Sequence, residues 1–240
     1  MSILFISDIH LDQSYPVITE QFLHLLRTEA PQAEQFYILG DLFEVWVGDD
    51  DDDPHNSNIL QQLLNLSQGG TQCYFMRGNR DFIAGPGFAE RTGFTVLEDP
   101  HPVELFGQKV LLSHGDQYCT DDVEYQAFRK QARDPNWQQQ MLALPLEQRR
   151  QIALALKQQS NASTAEKDMR IMDVNQGAID QALRESGADV LLHGHTHRPG
   201  VHRIALDGAN KTRIVLGDWY EQASLLWWNE GGPSLSCRAR

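Results

Sequence analysis

Ile3-Leu4-Phe5-Ile6-Ser7-Asp8-Ile9-His10 runs four bulky apolar residues straight into an aspartate and a histidine two positions apart. An unbroken apolar run of this length suits a strand buried on both faces. A carboxylate and an imidazole just beyond it lie at the strand's carboxyl end, where open α/β sheets gather their ligands. The same arrangement recurs at Leu39-Gly40-Asp41-Leu42-Phe43-Glu44, Met76-Arg77-Gly78-Asn79-Arg80-Asp81, Leu112-Ser113-His114-Gly115-Asp116 and Leu192-His193-Gly194-His195-Thr196-His197. Five such ends supplying Asp, Asn and His, in a chain with no CxxC pair, point to a site built around two metal ions. A paired-metal site with an activated water is a common solution for breaking phosphate esters and anhydrides.

Around these segments the first half alternates in the manner of an α/β protein. Strands are expected at Ile3–Ile6, Phe36–Leu39 and Cys73–Met76, and helices at Pro16–Thr28, Asn58–Leu66 and Phe82–Arg91. Val17, Phe22, Leu25 and Leu26 give the first helix its apolar stripe. Val103–Phe106 and Val110–Leu112 flank Gly107-Gln108 as a hairpin. Val190–Leu192, Val201–Leu206, Arg213–Leu216 and Ala223–Trp228 are mostly β and suit a second sheet packed on the first. Between Asp121 and Arg170 the texture turns helical, rich in Gln, Ala, Leu and Arg. Residues 1–120 and 171–240 then read as two parts of one core, with 121–170 a helical insertion covering the site.

The chain has 240 residues, 41% of them hydrophobic, enough for a full core. A formal net charge of −13 argues against the broad basic footprint of nucleic-acid binding. Cys73, Cys119 and Cys237 are scattered and odd in number, which fits reduced thiols rather than a disulfide framework. No secretory signal and no membrane-spanning run is read, so the expected location is the cytoplasm, free or against a membrane face. Within 129–158, six basic residues (Arg129, Lys130, Arg133, Arg149, Arg150 and Lys157) face only Asp134 and Glu147. This local excess suits either a solvated helical face or attraction to an anionic membrane or substrate.

Asp8, His10, Asp41, Asn79, His114, His195 and His197 are the expected metal ligands, with Asp41 the candidate bridging carboxylate. Carboxylates supply charge, imidazoles add directional nitrogens, and the Asn79 amide completes a shell without adding charge. This mixture, lacking thiolate, favours Mn2+ over structural zinc. Glu44 and Asp116 are expected to orient histidine ligands. Arg80 could clamp a phosphate oxygen or pair with Asp81. His193 reads as a buried or supporting histidine, and Asp49–Asp53 as an exposed acidic loop. Trp137, Met141, Leu142, Leu144, Ile152, Leu154 and Leu156 could line an apolar chamber, or simply pack a helical core.

The five blocks together resemble the calcineurin-like metallophosphoesterase superfamily. A narrower likeness over essentially the whole chain, including Ile171-Met172-Asp173-Val174 and Ile214-Val215-Leu216-Gly217-Asp218-Trp219, is to the UDP-2,3-diacylglucosamine hydrolases of lipid A synthesis. That resemblance implies a four-layer α/β/β/α sandwich with a helical lid, and two Mn2+ ions. One ion would sit on Asp8, His10, Asp41 and His197, the other on Asp41, Asn79, His114 and His195. It implies water attack on the α-phosphorus, releasing UMP and 2,3-diacylglucosamine 1-phosphate. Catalytic roles fall to Asp41, Asn79, Arg80 and His195, and substrate contacts to Asn79, Arg80, Asp122, Ser160, Thr164, Lys167 and His195. Thr164 departs from the family's usual Asn. The implied setting is peripheral, on the cytoplasmic face of the inner membrane, with no nucleic acid and no obligatory protein partner. The rivals are another metallophosphoesterase acting on nucleotides, nucleic acid or phosphoproteins, and a catalytically silent scaffold. The phosphatase pattern of Arg-Gly after the second block is absent here, where Glu44-Val45-Trp46 stands.

Overall fold

Apolar runs short enough to be strands but continuous enough to be buried on both faces force two sheets to stack. The computed structural model describes residues 1–166, 171, 173–220 and 222–239, with backbone only at 159–166, 222 and 239. The first sheet holds β1 (Ser2–Ile6), β2 (Gln35–Leu39), β3 (Gln72–Met76), β4 (Thr95–Leu97), β10 (Gln222–Asn229) and β11 (Gly232–Ala239). Its order is β11-β10-β1-β2-β3-β4, parallel from β1 to β4, with β10 and β11 added antiparallel. The second holds β5 (His101–Leu105), β6 (Gln108–Ser113), β7 (Val190–His193), β8 (Gly200–Leu206) and β9 (Ala209–Val215) in the order β5-β6-β7-β9-β8.

Alternation along each strand sorts the side chains into layers. Ile3, Phe5, Tyr37, Leu39, Leu112, Leu192 and Ile214 fill the space between the sheets. Leu4, Ile6, Phe36, Ile38 and Phe75 point the other way, under the helices α1 (Pro16–Thr28), α2 (Pro54–Gln68) and α3 (Pro86–Thr92). Leu111 and Leu191 pack outward against Ile179 and Leu183 of α7 (Gln176–Ser186). The result is the expected helix–sheet–sheet–helix stack. In α1 the inward face is Ile18, Phe22, Leu25 and Leu26, while Val17 is 52% exposed and does not belong to it. Phe22 is fully buried, and its replacement by Ala should cost about 3–5 kcal/mol.

Several elements differ from the sequence reading, and β10, read into the second sheet, pairs with β1 in the first. The helix expected from Phe82 begins only at Pro86, because the residues before it are held by other bonds: Arg77 Nε donates to Ala84 O at 2.6 Å and Gly85 N to the Asp49 carboxylate at 3.1 Å. The hairpin turn is Phe106-Gly107, both at positive φ, with Leu105 paired to Gln108. Strands β4 and β11 and helix α7 were not expected.

Among the described residues, three α-helices run between β6 and α7: α4 (Val123–Ala132), α5 (Pro135–Leu142) and α6 (Leu146–Glu166). Asp122 caps α4 through Tyr125 N, and Asp134 caps α5 through Trp137 N. The acidic run Asp49–Asp53 is a clasp for α6, not a free loop. Asp50 takes Arg149, whose guanidinium also donates to Val47 O and Leu144 O, and Asp51 and Asp52 take Arg150. Asp51 is 5% exposed. Lys157 pairs with Asp12 at 2.8 Å, and Arg129 with Asp116 at 2.9 Å. Five of the six basic residues of 129–158 therefore meet acidic groups of the core, since Arg133 also lies 3.8 Å from Asp116. Among the described residues no helix is long and apolar enough to cross a membrane.

Candidate active site

The strand ends that carry polar residues turn so sharply that the backbone is strained. Among the described residues seven non-glycine positions have positive φ, and five of them are Asp8, His10, Asp41, His195 and His197, between 53° and 67°. The other two, Phe106 and Asp207, sit in hairpin turns. Left-handed backbone costs a side-chain-bearing residue of order 1–3 kcal/mol, and such strain persists where a site demands it. Glycines supply the remaining room. A Cβ on Gly194 would collide with Asp8 and Ser7, one on Gly78 with Asp41, and one on Gly40 with His114 and the Gly78 backbone.

These turns bring all seven expected ligands together. His10 Nε2 stands 3.3 Å from His197 Nε2 and 3.7 Å from Asp41 Oδ2, while His197 Nε2 is 3.4 Å from Asp8 Oδ1. On the other side, Asn79 Oδ1 is 2.9 Å from His114 Nε2 and 2.7 Å from His195 Nδ1, and His114 Nε2 is 3.7 Å from Asp41 Oδ1. Donor atoms about 2.1 Å from one ion stand roughly 3–3.5 Å apart, so these separations suit coordination. Asp41 turns one carboxylate oxygen to each group. Asp8, His10 and His197 form one set able to hold an ion, and Asp8, Asp41 and His114 another.

Three of the four rings are aimed by the far nitrogen. His10 Nδ1 donates to Glu44 Oε2 at 2.8 Å, His114 Nδ1 to Leu39 O at 3.0 Å, and His197 Nδ1 to Asp218 Oδ2 at 3.0 Å. Tyr220 stacks on His10 and donates its hydroxyl to Glu44 at 3.1 Å. His195 is fixed by its main-chain amide, which donates to Asp8, and by the ring of Tyr125 stacked on it. Glu44 thus has the orienting role expected of it. Asp116 reaches no histidine through a hydrogen bond; its carboxylate holds Tyr125, Arg129 and Arg133 instead. Asp81, buried, takes the amides of Gly78 and Leu42 and does not pair with Arg80. Asp218, Tyr220 and Tyr125 received no role from the sequence, although Asp218 stood inside a quoted motif, and Asp81 was read only as a possible partner of Arg80.

The electrostatics show a pocket short of positive charge. Burial alone would raise the Asp8 carboxyl, but His197, His114 and His10 hold it well below the usual range. Burial lowers His114, yet Asp41, Asp8 and Asp116 outweigh it and lift the ring to about 9. His197 is lifted to about 10 against its burial by Asp218 and Asp8. His195, buried beside His114, falls to about 4. Carboxylates that pull protons onto two imidazoles, one in each half of the site, would be equally served by cations, which fits a divalent pair.

Beside the ligands opens a groove with a cavity volume of about 250 Å3. Asn79, Arg80, Asp122 and Lys157 border it, and Trp46, Phe82, Phe128, Trp137, Met141 and Leu156 give its apolar wall. Among the described residues, Arg80 Nε is buried without a hydrogen-bond partner. Of the expected chamber residues only Trp137, Met141 and Leu156 line the groove. Leu142 and Leu154 are 43% and 55% exposed, Leu144 lies in the turn between α5 and α6, and Ile152 is on α6 away from the groove. His193 is fully buried and lowered to about 3 by that burial, as a supporting histidine should be. Lys167 and Met172 lie outside the described residues, as do the side chains of Ser160 and Thr164.

The sequence profile described as calcineurin-like phosphoesterase matches residues 1–199. The chain is 47% identical over 249 residues to a Stenotrophomonas maltophilia protein named UDP-2,3-diacylglucosamine hydrolase, covering all of both chains. It is 49% identical over 219 residues to the Chromohalobacter salexigens protein of that name, covering 91% of this chain and 89% of the relative. A solved structure described as a novel archaeal phosphodiesterase superposes with a TM-score of 0.51 at 13% identity, over 99% of each chain, a likeness of fold alone.

Proposed function

The chain belongs to the calcineurin-like phosphoesterase family, and from that premise we infer that it is a UDP-2,3-diacylglucosamine hydrolase, as its full-length relatives are named. It splits the substrate's diphosphate by water attack on the α-phosphorus, giving UMP and 2,3-diacylglucosamine 1-phosphate, a step of lipid A biosynthesis. The observation that carries the reaction class is Asp41, with one carboxylate oxygen toward His10 and the other toward His114.

Two cations would be held there, one by Asp8, His10, Asp41 and His197, the other by Asp41, Asn79, His114 and His195. We assign them as Mn2+, since the donors are nitrogen and oxygen with no thiolate. Bound divalent ions supply Lewis-acid charge that lowers the pKa of water and offsets the phosphate oxygens. Glu44, Leu39 O and Asp218 keep the ligand nitrogens of His10, His114 and His197 turned inward. Arg80, with its free Nε at the groove, offers charge-assisted hydrogen bonds to a phosphate oxygen as negative charge builds. Asn79, His195, Asp122, Ser160, Thr164 and Lys167 complete the substrate contacts in this reading.

The acyl chains would lie along Trp46, Phe82, Phe128, Trp137, Met141 and Leu156, which makes α4 to α6 the lid of the site. A substrate with such chains resides in a bilayer, so we place the chain peripherally on the cytoplasmic face of the inner membrane. The contact would rest on exposed Val123, Leu142 and Leu154 rather than on the basic residues of 129–158, most of which are spent on internal ion pairs.

Turnover in H2(18)O tests the reaction directly. The label should appear in UMP; label in the sugar phosphate would mean attack on the other phosphorus. Single-stranded DNA and an aryl phosphodiester should be far poorer substrates, and preference for either would overturn the substrate assignment.

A further inference from the structure

Nothing in the ligand set itself explains how the Asn79 side chain is held between two imidazoles, because the segment carrying it, Arg77 to Asp81, is a loop. From below, Asp81 takes the Gly78 amide at 2.7 Å. From above, the loop is held by a residue of the helical segment. Arg133, at the carboxyl end of α4, donates through Nη2 to Gly78 O at 2.9 Å and to Arg77 O at 3.2 Å. The same guanidinium lies 3.8 Å from Asp116, whose fully buried carboxylate also accepts from Arg129 Nε at 2.9 Å and Tyr125 Oη at 2.8 Å. Tyr125 in turn stacks on His195 with ring centroids 5.6 Å apart.

We propose that Arg133 is a positioning residue for one half of the metal pair: through the carbonyls of Arg77 and Gly78 it sets Asn79, and with it the cation held by Asn79, His114 and His195. The inference rests on the assignment of those three residues as ligands. It deepens that assignment by making α4 part of the metal site as well as part of its cover. Apart from the shared Asp41, the clamp bonds none of the residues of the other half of the pair. His10 and His197 take their orientation from Glu44 and Asp218.

A cationic donor bonded to two carbonyls cannot be replaced by a neutral amide without loosening the loop, whereas Asp116 keeps Arg129 and stays paired. Loss of a group that orients a ligand costs on the order of 10- to 100-fold in metal affinity. The prediction is therefore asymmetric. Calorimetric titration of the metal-free full-length chain with MnCl2, backed by the Mn2+ EPR signal, should resolve two binding events in the wild type. Arg133→Gln should weaken one event by roughly 10- to 100-fold and leave the other within about threefold. Arg133→Lys, which keeps the charge but reaches one carbonyl, should weaken the same event by an intermediate factor.

Asn79→Ala identifies which event belongs to that half. If Asn79→Ala removes one event and Arg133→Gln changes neither, the inference about Arg133 fails while the ligand assignment stands. If Asn79→Ala also changes neither, the ligand assignment itself is wrong. Equal weakening of both events in Arg133→Gln, with a lowered melting temperature, would show a general structural role and also overturn the proposal. Should Arg133→Gln fail to fold, Arg133→Lys decides: an unchanged Asn79-sensitive event contradicts the clamp.

Discussion

Gly78→Ala places a methyl group against the carboxylate that the two cations are taken to share. The glycine's φ is unremarkable, so the cost is steric alone. An ideal Cβ would sit 2.8 Å from Asp41 Cγ, and nearer still to its Oδ1 and main-chain nitrogen, where ordinary contact begins near 3.4 Å. Asp41 must retreat by at least about 0.6 Å. It has little freedom to do so: Arg80 N donates to Oδ1 at 2.8 Å, and Leu42 N next door is held by Asp81 at 2.7 Å. Overpacking of this kind costs about 1–3 kcal/mol, which in a chain of this size lowers the melting temperature by roughly 2–12 °C. A reacting group displaced by about 1 Å can lose on the order of 100-fold in rate, so kcat should fall about 10- to 100-fold. The groove is untouched, so KM should change little. Steady-state kinetics on UDP-2,3-diacylglucosamine with saturating Mn2+, alongside scanning calorimetry, measure all three quantities. A folded variant with kcat within a factor of about two of wild type would refute the claim that Asp41 must stand where it does.

Asp218→Asn removes the anion behind His197 Nδ1 and should weaken one cation by roughly 10- to 100-fold in the same titration, without moving the event sensitive to Asn79→Ala. Arg149→Met strips the buried guanidinium from Asp50, Val47 O and Leu144 O, and hydrogen exchange in the first turns of α6 should accelerate at least tenfold. Unchanged protection there would show that the acidic clasp does not hold the helix. The Asp50 carboxyl is held below its ordinary value of 3.8, chiefly by its bond to Arg149. Its contribution is thus complete above that value and is lost as pH falls through the depressed one. The stability gap between wild type and Asp50→Asn in urea should be constant from pH 5 to 7 and close on acidification. A gap that widens toward low pH would contradict the pairing.

Much of the site was legible because its parts obey one local rule, a polar residue just past a buried strand. Leu4-Phe5-Ile6 and Phe36-Tyr37-Ile38 announce strands by being apolar on both faces, and Asp8 and Asp41 follow them directly. Features that depend on distant partners were not legible. Asp50 and Asp51 look like a solvated acidic loop until Arg149 and Arg150, about a hundred positions later, fold onto them. Edge strand β11 reads Gly-Pro-Ser-Leu-Ser-Cys-Arg-Ala, with no apolar run to betray it, because half of its pairing and most of its burial are missing. Helix α7 did carry local signals that went unread, an Asn175 cap and a Gly187 stop. The helix expected from Phe82 starts four residues later, where Pro86 marks the true first turn.

Anomalous scattering at the manganese edge, from crystals grown with Mn2+, bears on the shared carboxylate without any assumption about substrate. The map should show two peaks, each within coordinating distance of a different oxygen of Asp41, one flanked by His10 and His197 and the other by Asn79, His114 and His195. A single peak that uses both Asp41 oxygens, or peaks that leave Asp41 uncoordinated, would contradict a two-cation centre built on that residue.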